Sequence, residues 1–214
     1  MIEIKKLYLK YIREYYALYD INLNIADGQS VALIGQSEGS GKTSLLRVLA
    51  KLEKFDKGEI YLKDINIKKV NFKDDVSLGY VGEVPVFLEN KTVYDNFRYV
   101  LKSRGLKDLE IEEKLNSMII EYNLEMFRDV KPKDLSLYEK YVISLLRLSL
   151  RPLDIVLVDD IFTKVDDSQR QIIVQMIKHL FIDKKVTTLV ASNNETLLKG
   201  VCKKFYHFKN GSID

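Results

Sequence analysis

Two short stretches of the chain combine residue types and spacings that can do chemistry. The first is Gly35-Gln36-Ser37-Glu38-Gly39-Ser40-Gly41-Lys42-Thr43-Ser44. Glycines let the backbone turn so that successive N–H groups face one point. Together with the N-terminus of a following helix, such groups bind phosphate oxygens. In that arrangement Lys42 supplies a point charge to the β- and γ-phosphates, and Thr43 supplies an oxygen to Mg²⁺. The pattern has four residues between its first glycine and the Gly-Lys pair, but here five separate Gly35 from Gly41. The half from Gly39 to Thr43 is in register, so the extra residue lies earlier, most simply Glu38. A carboxylate ~5 Å from a phosphate charge costs on the order of 3 kcal/mol at an effective dielectric of ~20. Glu38 is therefore expected to bulge outward into solvent. The competing reading is a glycine-rich turn that binds nothing.

The second stretch is Ile155-Val156-Leu157-Val158-Asp159-Asp160, an apolar strand that ends in two carboxylates. Ligands of parallel α/β sheets sit at the carboxyl ends of strands. Asp159 is placed to hold the Mg²⁺ that Thr43 also touches, and Asp160 to orient or deprotonate an attacking water. A pair of helix-capping carboxylates at a strand exit is the alternative for this segment taken alone.

The elements that must position these groups follow from hydrophobic spacing. Ile2–Leu7 and Ile21–Ile25 alternate apolar and polar residues, as half-buried strands do. Val31–Ile34 is a continuous apolar run, the pattern of a strand buried on both faces. It feeds the glycine cluster and then a helix, Lys42–Lys51, with Leu45, Leu46 and Leu49 on one side. Strands follow near Ile60–Leu62 and at Val76–Val81. The middle of the chain is helical. Thr92 caps a helix bearing Val93, Phe97, Val100 and Leu101 on one face, and Gly105 stops it. A second helix follows Asp108, and a third spans Ser136–Leu150. Strand Ile155–Val158, helix Asp167–Phe181, strand Val186–Val190, a short helix near Glu195–Lys199 and a strand at Phe205–Phe208 complete the order. Alternating strands and helices give an α/β core with a mostly parallel sheet. The helical block at about 84–134 reads as an insertion between two parts of that core.

Composition removes several function classes. The chain has 214 residues, with 34 Lys and Arg against 31 Asp and Glu, a net charge of +3. Nucleic-acid binders carry a clear basic excess or stripe, so no nucleic-acid partner is expected. The single cysteine, Cys202, forbids an intrachain disulfide and a cysteine-based zinc site. The two histidines, His179 and His207, lie well apart. The start of the chain does not have the pattern of a signal peptide, and no apolar run approaches the ~18 residues of a membrane span. A protein of this kind is soluble, or peripheral through a partner. Only ten glycines occur, and three fall within seven residues at Gly35, Gly39 and Gly41.

With the order of the segments, these residues resemble the ATP-binding cassette (ABC) ATPases that power membrane transporters. Leu135-Ser136-Leu137-Tyr138-Glu139 stands where that family has its Leu-Ser-Gly-Gly-Gln signature, with Arg147 at the expected interval. Asp159 to Asp166 has the spacing of the Walker B segment and D-loop, and Gly79 to Glu83 sits where the Q-loop belongs. The resemblance implies a P-loop NTPase cassette over residues 1–214. Its core would span about 1–83 and 135–214, with an N-terminal antiparallel β subdomain and an inserted helical subdomain at about 84–134. It implies ATP and Mg²⁺ as ligands. Nucleotide would be bound by Tyr11, Gly35, Ser37, Gly39, Ser40, Gly41, Lys42, Thr43 and Ser44. The metal would be held by Thr43, Asp159 and Glu83, and catalysis served by Asp160, Glu83 and Ser192. Tyr11 looks like the aromatic that stacks on adenine, with Tyr8, Tyr15 and Tyr16 as competitors.

The departures from the family pattern cluster on one step. Asp160 stands where the family has its catalytic Glu, one methylene short, and a displacement of about 1 Å can cost ~10²-fold in rate. Glu83 replaces the Q-loop Gln, retaining an oxygen for Mg²⁺ but adding negative charge near the γ-phosphate. Ser192 replaces the switch His and cannot carry positive charge. Leu137 and Tyr138 replace two glycines that allow close approach to a partner's phosphate. What survives there is Ser136-x-x-Glu139, a capping box that by itself accounts for both residues. The expectation is an ATP-binding subunit of an ABC transporter that binds ATP·Mg²⁺ and hydrolyses it slowly. It would work with a second cassette and a separate transmembrane permease, on the inner face of the membrane. The alternative is a hydrolysis-impaired regulatory or structural partner in a heterodimeric complex.

Overall fold

The computed structural model describes residues 1–12, 15–36 and 39–214. The Glu38 bulge and the assignment of Ser37 to the phosphate loop lie outside the described residues.

The chain begins as a long hairpin, β1 (Ile2–Ile12) and β2 (Tyr15–Ile25), paired antiparallel. Both strands run further than the clean alternation in the sequence. In β1 the buried residues are Ile2 and Ile4, then Leu7 and Leu9. One extra residue therefore separates the two pairs, and a strand's period of two would turn Leu7 to the wrong face. Lys6 absorbs that residue with φ of 48°, and Asp20 does the same in β2 with φ of 51°. Asn22 sustains both kinks: its Oδ1 accepts from the Lys6 N–H at 2.9 Å, and its Nδ2 donates to the Asp20 carbonyl at 2.9 Å. Such bulges keep one face of a strand apolar through a break in register.

β3 (Ser30–Ile34) is buried at every position and leads into α1 (Lys42–Leu49). β4 (Lys57–Leu62), the short β5 (Ile65–Asn66) and β6 (Leu78–Val81) follow. Next come α2 (Val93–Ser103), α3 (Asp108–Glu121) and α4 (Leu137–Ser149). β7 (Ile155–Asp159), α5 (Asp167–Ile177), β8 (Thr187–Ser192), α6 (Glu195–Leu198), β9 (Lys204–Lys209) and β10 (Ser212–Ile213) complete the chain. α5 continues into a π-helical turn over Lys178–Ile182, which accounts for the longer helix expected there.

Two sheets result. One is antiparallel, in the order β2-β1-β4-β5. The other runs β10-β9-β3-β8-β7-β6, with β9, β3, β8, β7 and β6 parallel and β10 folding back antiparallel at the edge. Ile2, Ile4, Leu18, Ile21, Leu33, Leu45, Leu49, Ile60, Leu157 and Leu189 belong to one continuous apolar core shared by both sheets and α1. A fully buried Leu or Ile contributes roughly 1.5–3 kcal/mol, so this core fixes where β3 and β7 end.

The chain divides into two compact units, residues 1–83 with 153–214, and residues 84–152. Both sheets lie in the first. The second holds α2, α3 and α4. Within it, Thr92 Oγ1 caps α2 by accepting from Asp95 N–H, and Ser136 and Glu139 close a reciprocal capping box on α4. Arg147 Nη2 donates to the Val86 carbonyl at 2.6 Å, and its guanidinium sits 4.7 Å from the Phe87 ring centre. Among the described residues, no helix is long and apolar enough to cross a membrane.

Candidate functional site

Neighbouring parallel strands in the first unit end at Ile34, Val81, Asp159 and Ser192. The glycine loop leaves β3 at this edge. Its entry is tied to β8 by Gly35 N–H, which donates to the Ser192 carbonyl at 3.2 Å. A Cβ on Gly35 would lie 2.7 Å from Ser40 Oγ and 3.0 Å from the Phe208 carbonyl, so the loop closes on itself only with glycine there. At its exit Gly41 caps α1 with φ of 109°, a conformation that L side chains rarely adopt. The first N–H groups of α1 thus open beside the loop without intrahelical partners.

Lys42 opens α1 and is 6% exposed. Its Nζ donates to the Gly35 carbonyl at 2.7 Å and to Ser40 Oγ at 2.9 Å, so the ammonium lies inside the loop. Burial lowers its pKa from the ordinary value, against Asp160 and Asp159, which favour the charged form.

Thr43 Oγ1 donates to Asp159 Oδ1 at 2.9 Å, and Tyr80 Oη donates to Asp159 Oδ2 at 2.8 Å. Both oxygens of this carboxylate, itself only 2% exposed, are therefore hydrogen-bonded. Burial raises the Asp159 pKa and the neighbouring Asp160 adds to it. The hydrogen bonds from Tyr80 and Thr43, with Lys42, restrain the shift. The Tyr80 hydroxyl is pushed up as well, first by burial, then by Asp159. Thr43 Oγ1 and Asp159 Oδ1 are hard oxygens beside the glycine loop. That donor set fits Mg²⁺, which takes one or two protein oxygens and completes its shell with water and phosphate. Among the described residues, no group of three or more His, Cys, Asp or Glu side chains could hold a metal by itself.

Asp160 follows with φ of 46°. Its N–H donates to the Ala191 carbonyl at 3.3 Å, and its Oδ1 accepts from Thr163 Oγ1 at 2.7 Å. Ser192 is fully buried, and its Oγ accepts from Asn194 N–H at 3.0 Å, within its own turn. Glu83, just beyond β6, is ion-paired with Lys164 at 2.7 Å.

The tyrosines separate by position. Tyr8, Tyr16 and Tyr19 pack edge to face on one another, with centroids 5.0–6.1 Å apart. Tyr11 and Tyr15 stay exposed and reach the loop. Tyr11 Oη lies 3.0 Å from Ser44 Oγ, and Tyr15 Oη donates to the Gly39 carbonyl at 3.2 Å. Of the residues singled out in the sequence, the structure thus brings together Tyr11, Gly35, Gly39, Ser40, Gly41, Lys42, Thr43, Ser44, Asp159, Asp160 and Ser192, with Glu83 at the same strand edge in its ion pair with Lys164. Sequence reasoning missed Tyr80. The available signal was strand register: Tyr80 pairs with Leu157, which shares a face with Asp159 two residues on.

Comparison with known proteins adds the lineage. The family model described as ABC transporter matches residues 18–163, more than half of the chain. The methionine import ATP-binding protein MetN of Clostridioides difficile (strain 630) is 27% identical over 218 aligned positions, covering all of this chain and 67% of its own length. The sulfate/thiosulfate import ATP-binding protein CysA of Halalkalibacterium halodurans is 32% identical over 92% of this chain and 56% of its own length. The probable CysA of Chlorella vulgaris is 30% identical, covering 92% of this chain and 83% of its own length. The chain thus spans 56% of the CysA of Halalkalibacterium halodurans and 58% of that of Mannheimia succiniciproducens. In fold it is similar to the ATP-binding cassette MJ0796, solved as a dimer bound to ADP and Pi, with a TM-score of 0.86. That match has 24% identity and covers 100% of this chain and 97% of the other.

Proposed function

The chain belongs to the ABC transporter family, and from that premise we propose that it is an ATP-binding subunit that binds ATP with Mg²⁺ and hydrolyses it slowly. We read residues 1–214 as one cassette domain, with the helical segment as an insertion. The observation that carries the proposal is the hydrogen bond between Thr43 and Asp159, next to a lysine folded into a glycine loop at a helix N-terminus. Loop N–H groups and Lys42 would take the phosphate oxygens. Thr43 and Asp159 would hold the metal, which when bound offsets charge on the phosphates. Tyr11 or Tyr15, both exposed and both bonded to the loop or the helix behind it, would stack on the base.

Three features support slow turnover. Asp160, proposed to orient the attacking water, has a short side chain already bonded to Thr163. Glu83 is held by Lys164, and the Ser192 hydroxyl is engaged in its own turn. The relatives' names describe import ATP-binding proteins for methionine and for sulfate or thiosulfate. By analogy we propose that this chain serves a transporter too, through a second cassette and a separate membrane permease at the inner membrane face. The runner-up reading is a hydrolysis-impaired partner in a heterodimer. It is favoured by Leu137 and Tyr138, whose side chains open α4 behind a capping box that occupies both Ser136 and Glu139.

The test is ATP turnover by the purified chain, alone and with its co-purifying partners, for the wild type and Lys42→Ala. Slow turnover that Lys42→Ala abolishes supports the first reading. Turnover that appears only in the mixture supports the second. An unchanged rate in Lys42→Ala removes both.

A further inference from the structure

Glu83 and Lys164 lie on different loops that meet at one sheet edge. Glu83 is two residues beyond the end of β6, and Lys164 is in the turn that follows β7. β6 and β7 are parallel neighbours in register from Leu78↔Ile155 to Val81↔Val158, so their exit loops emerge side by side. Lys164 Nζ reaches Glu83 Oε1 at 2.7 Å. The turn that carries Lys164 is pinned at its start by the bond from Thr163 Oγ1 to Asp160 Oδ1.

Both side chains are about half exposed, 56% and 54%. An ion pair of that kind stabilises a fold by only about 0–1 kcal/mol, so stability is a weak reason for it. Its setting gives a better one. Asp159, Asp160 and Glu83 place three carboxylates at this edge, against the ammonium of Lys42 in the loop. Glu83 is near enough to help raise the pKa of Tyr80, whose hydroxyl is bonded to Asp159. A triphosphate carries its own negative charge into this group, and each uncompensated carboxylate nearby opposes it.

We propose that Lys164 is a positioning residue for nucleotide binding: its ion pair with Glu83 neutralises and holds that carboxylate at the edge of the phosphate loop, so that a triphosphate is admitted. This rests on the nucleotide-binding reading above. ATP brings more negative charge to this edge than ADP does, so the ion pair discriminates the two. A merely structural lysine would shift both nucleotides together.

The experiment measures dissociation constants of the full chain for Mg·ATP and Mg·ADP, by competition against a fluorescent nucleotide at low and high salt. The variants are Lys164→Ala and Lys164→Arg. Lys164→Ala is expected to weaken ATP by about three- to tenfold and ADP by less than about twofold, with the gap shrinking at high salt. Lys164→Arg is expected to bind ATP within about twofold of wild type, because it keeps the charge beside Glu83. An unchanged ATP-to-ADP ratio in Lys164→Ala overturns the proposal. So does a Lys164→Arg variant as weak as Lys164→Ala. Lys42→Ala separates the two levels of inference. If it binds nucleotide as wild type does, the nucleotide reading fails. If it loses binding while Lys164→Ala is unaffected, only the role of Lys164 fails.

Discussion

Thr43 Oγ1 donates a hydrogen bond to Asp159 Oδ1 at 2.9 Å, joining the first turn of α1 to the last residue of β7 across 116 positions of sequence. The helix is fixed by the apolar face of Leu45, Leu46 and Leu49, and the strand by burial on both sides. The contact is therefore set by the core. It places two oxygens where one cation could use both.

Thr43→Val keeps the shape of the side chain and removes the oxygen. ATP affinity measured in EDTA should stay within about twofold of wild type, while the gain on adding Mg²⁺ should fall by at least about tenfold. Titration of ATP with and without Mg²⁺ checks this. An undiminished Mg²⁺ gain would remove Thr43 from the metal site.

Tyr80→Phe deletes the donor to Asp159 Oδ2. The pKa of Asp159 is raised in the fold, so the native state binds a proton more tightly than the unfolded chain does. Ionising Asp159 therefore costs stability. The cost is absent below the unfolded pKa and complete once pH has risen through the folded one. Tyr80 reduces that cost, so its loss should destabilise the protein by about 1–3 kcal/mol at neutral pH. The gap to wild type should narrow as pH falls through the folded pKa of Asp159. Urea melts at several pH values follow it, and a gap that widens in acid would contradict the account.

Asp160→Glu restores the missing methylene. If the short acid limits the rate, turnover should rise by at least about tenfold, with ATP affinity changed by less than about threefold. A coupled phosphate-release assay measures the rate. No increase would shift the limit to Glu83, Ser192 or the α4 cap.

Gly41→Ala should destabilise the chain by about 1–3 kcal/mol, because φ is 109° and the new Cβ would stand 2.8 Å from the Ala17 carbonyl. Thermal melting tests it. A variant as stable as wild type would mean that the loop tolerates another conformation.

Much of this was legible in the sequence because burial and chemistry coincide there. β3 and β7 read as strands because Val31–Ile34 and Ile155–Val158 are unbroken apolar runs, and both proved buried throughout. Thr92 and Ser136 read as caps because capping depends on residues only three positions away. The second hairpin strand was read short because Asp20 breaks the alternation just before Ile21, and the first because Tyr8, Lys10 and Tyr11 beyond Leu7 show no clear apolar face. β5 and β10 are two residues each, too short to show a period. The Tyr80–Asp159 bond and the Glu83–Lys164 pair join residues about 80 positions apart. They depend on the lateral order of β6 and β7, which no local pattern encodes.

The most direct measurement is an isothermal titration of Mg·ATP into the purified chain, beside Lys42→Ala and Lys42→Met, with circular dichroism to confirm the fold. Lys42 already holds a buried ammonium against Gly35 and Ser40. The account predicts saturable binding to wild type and a loss of at least about 30-fold in both variants, the scale of a charge-assisted hydrogen bond of about 2 kcal/mol. Equal affinity in all three proteins, or no saturable binding to wild type, would contradict it.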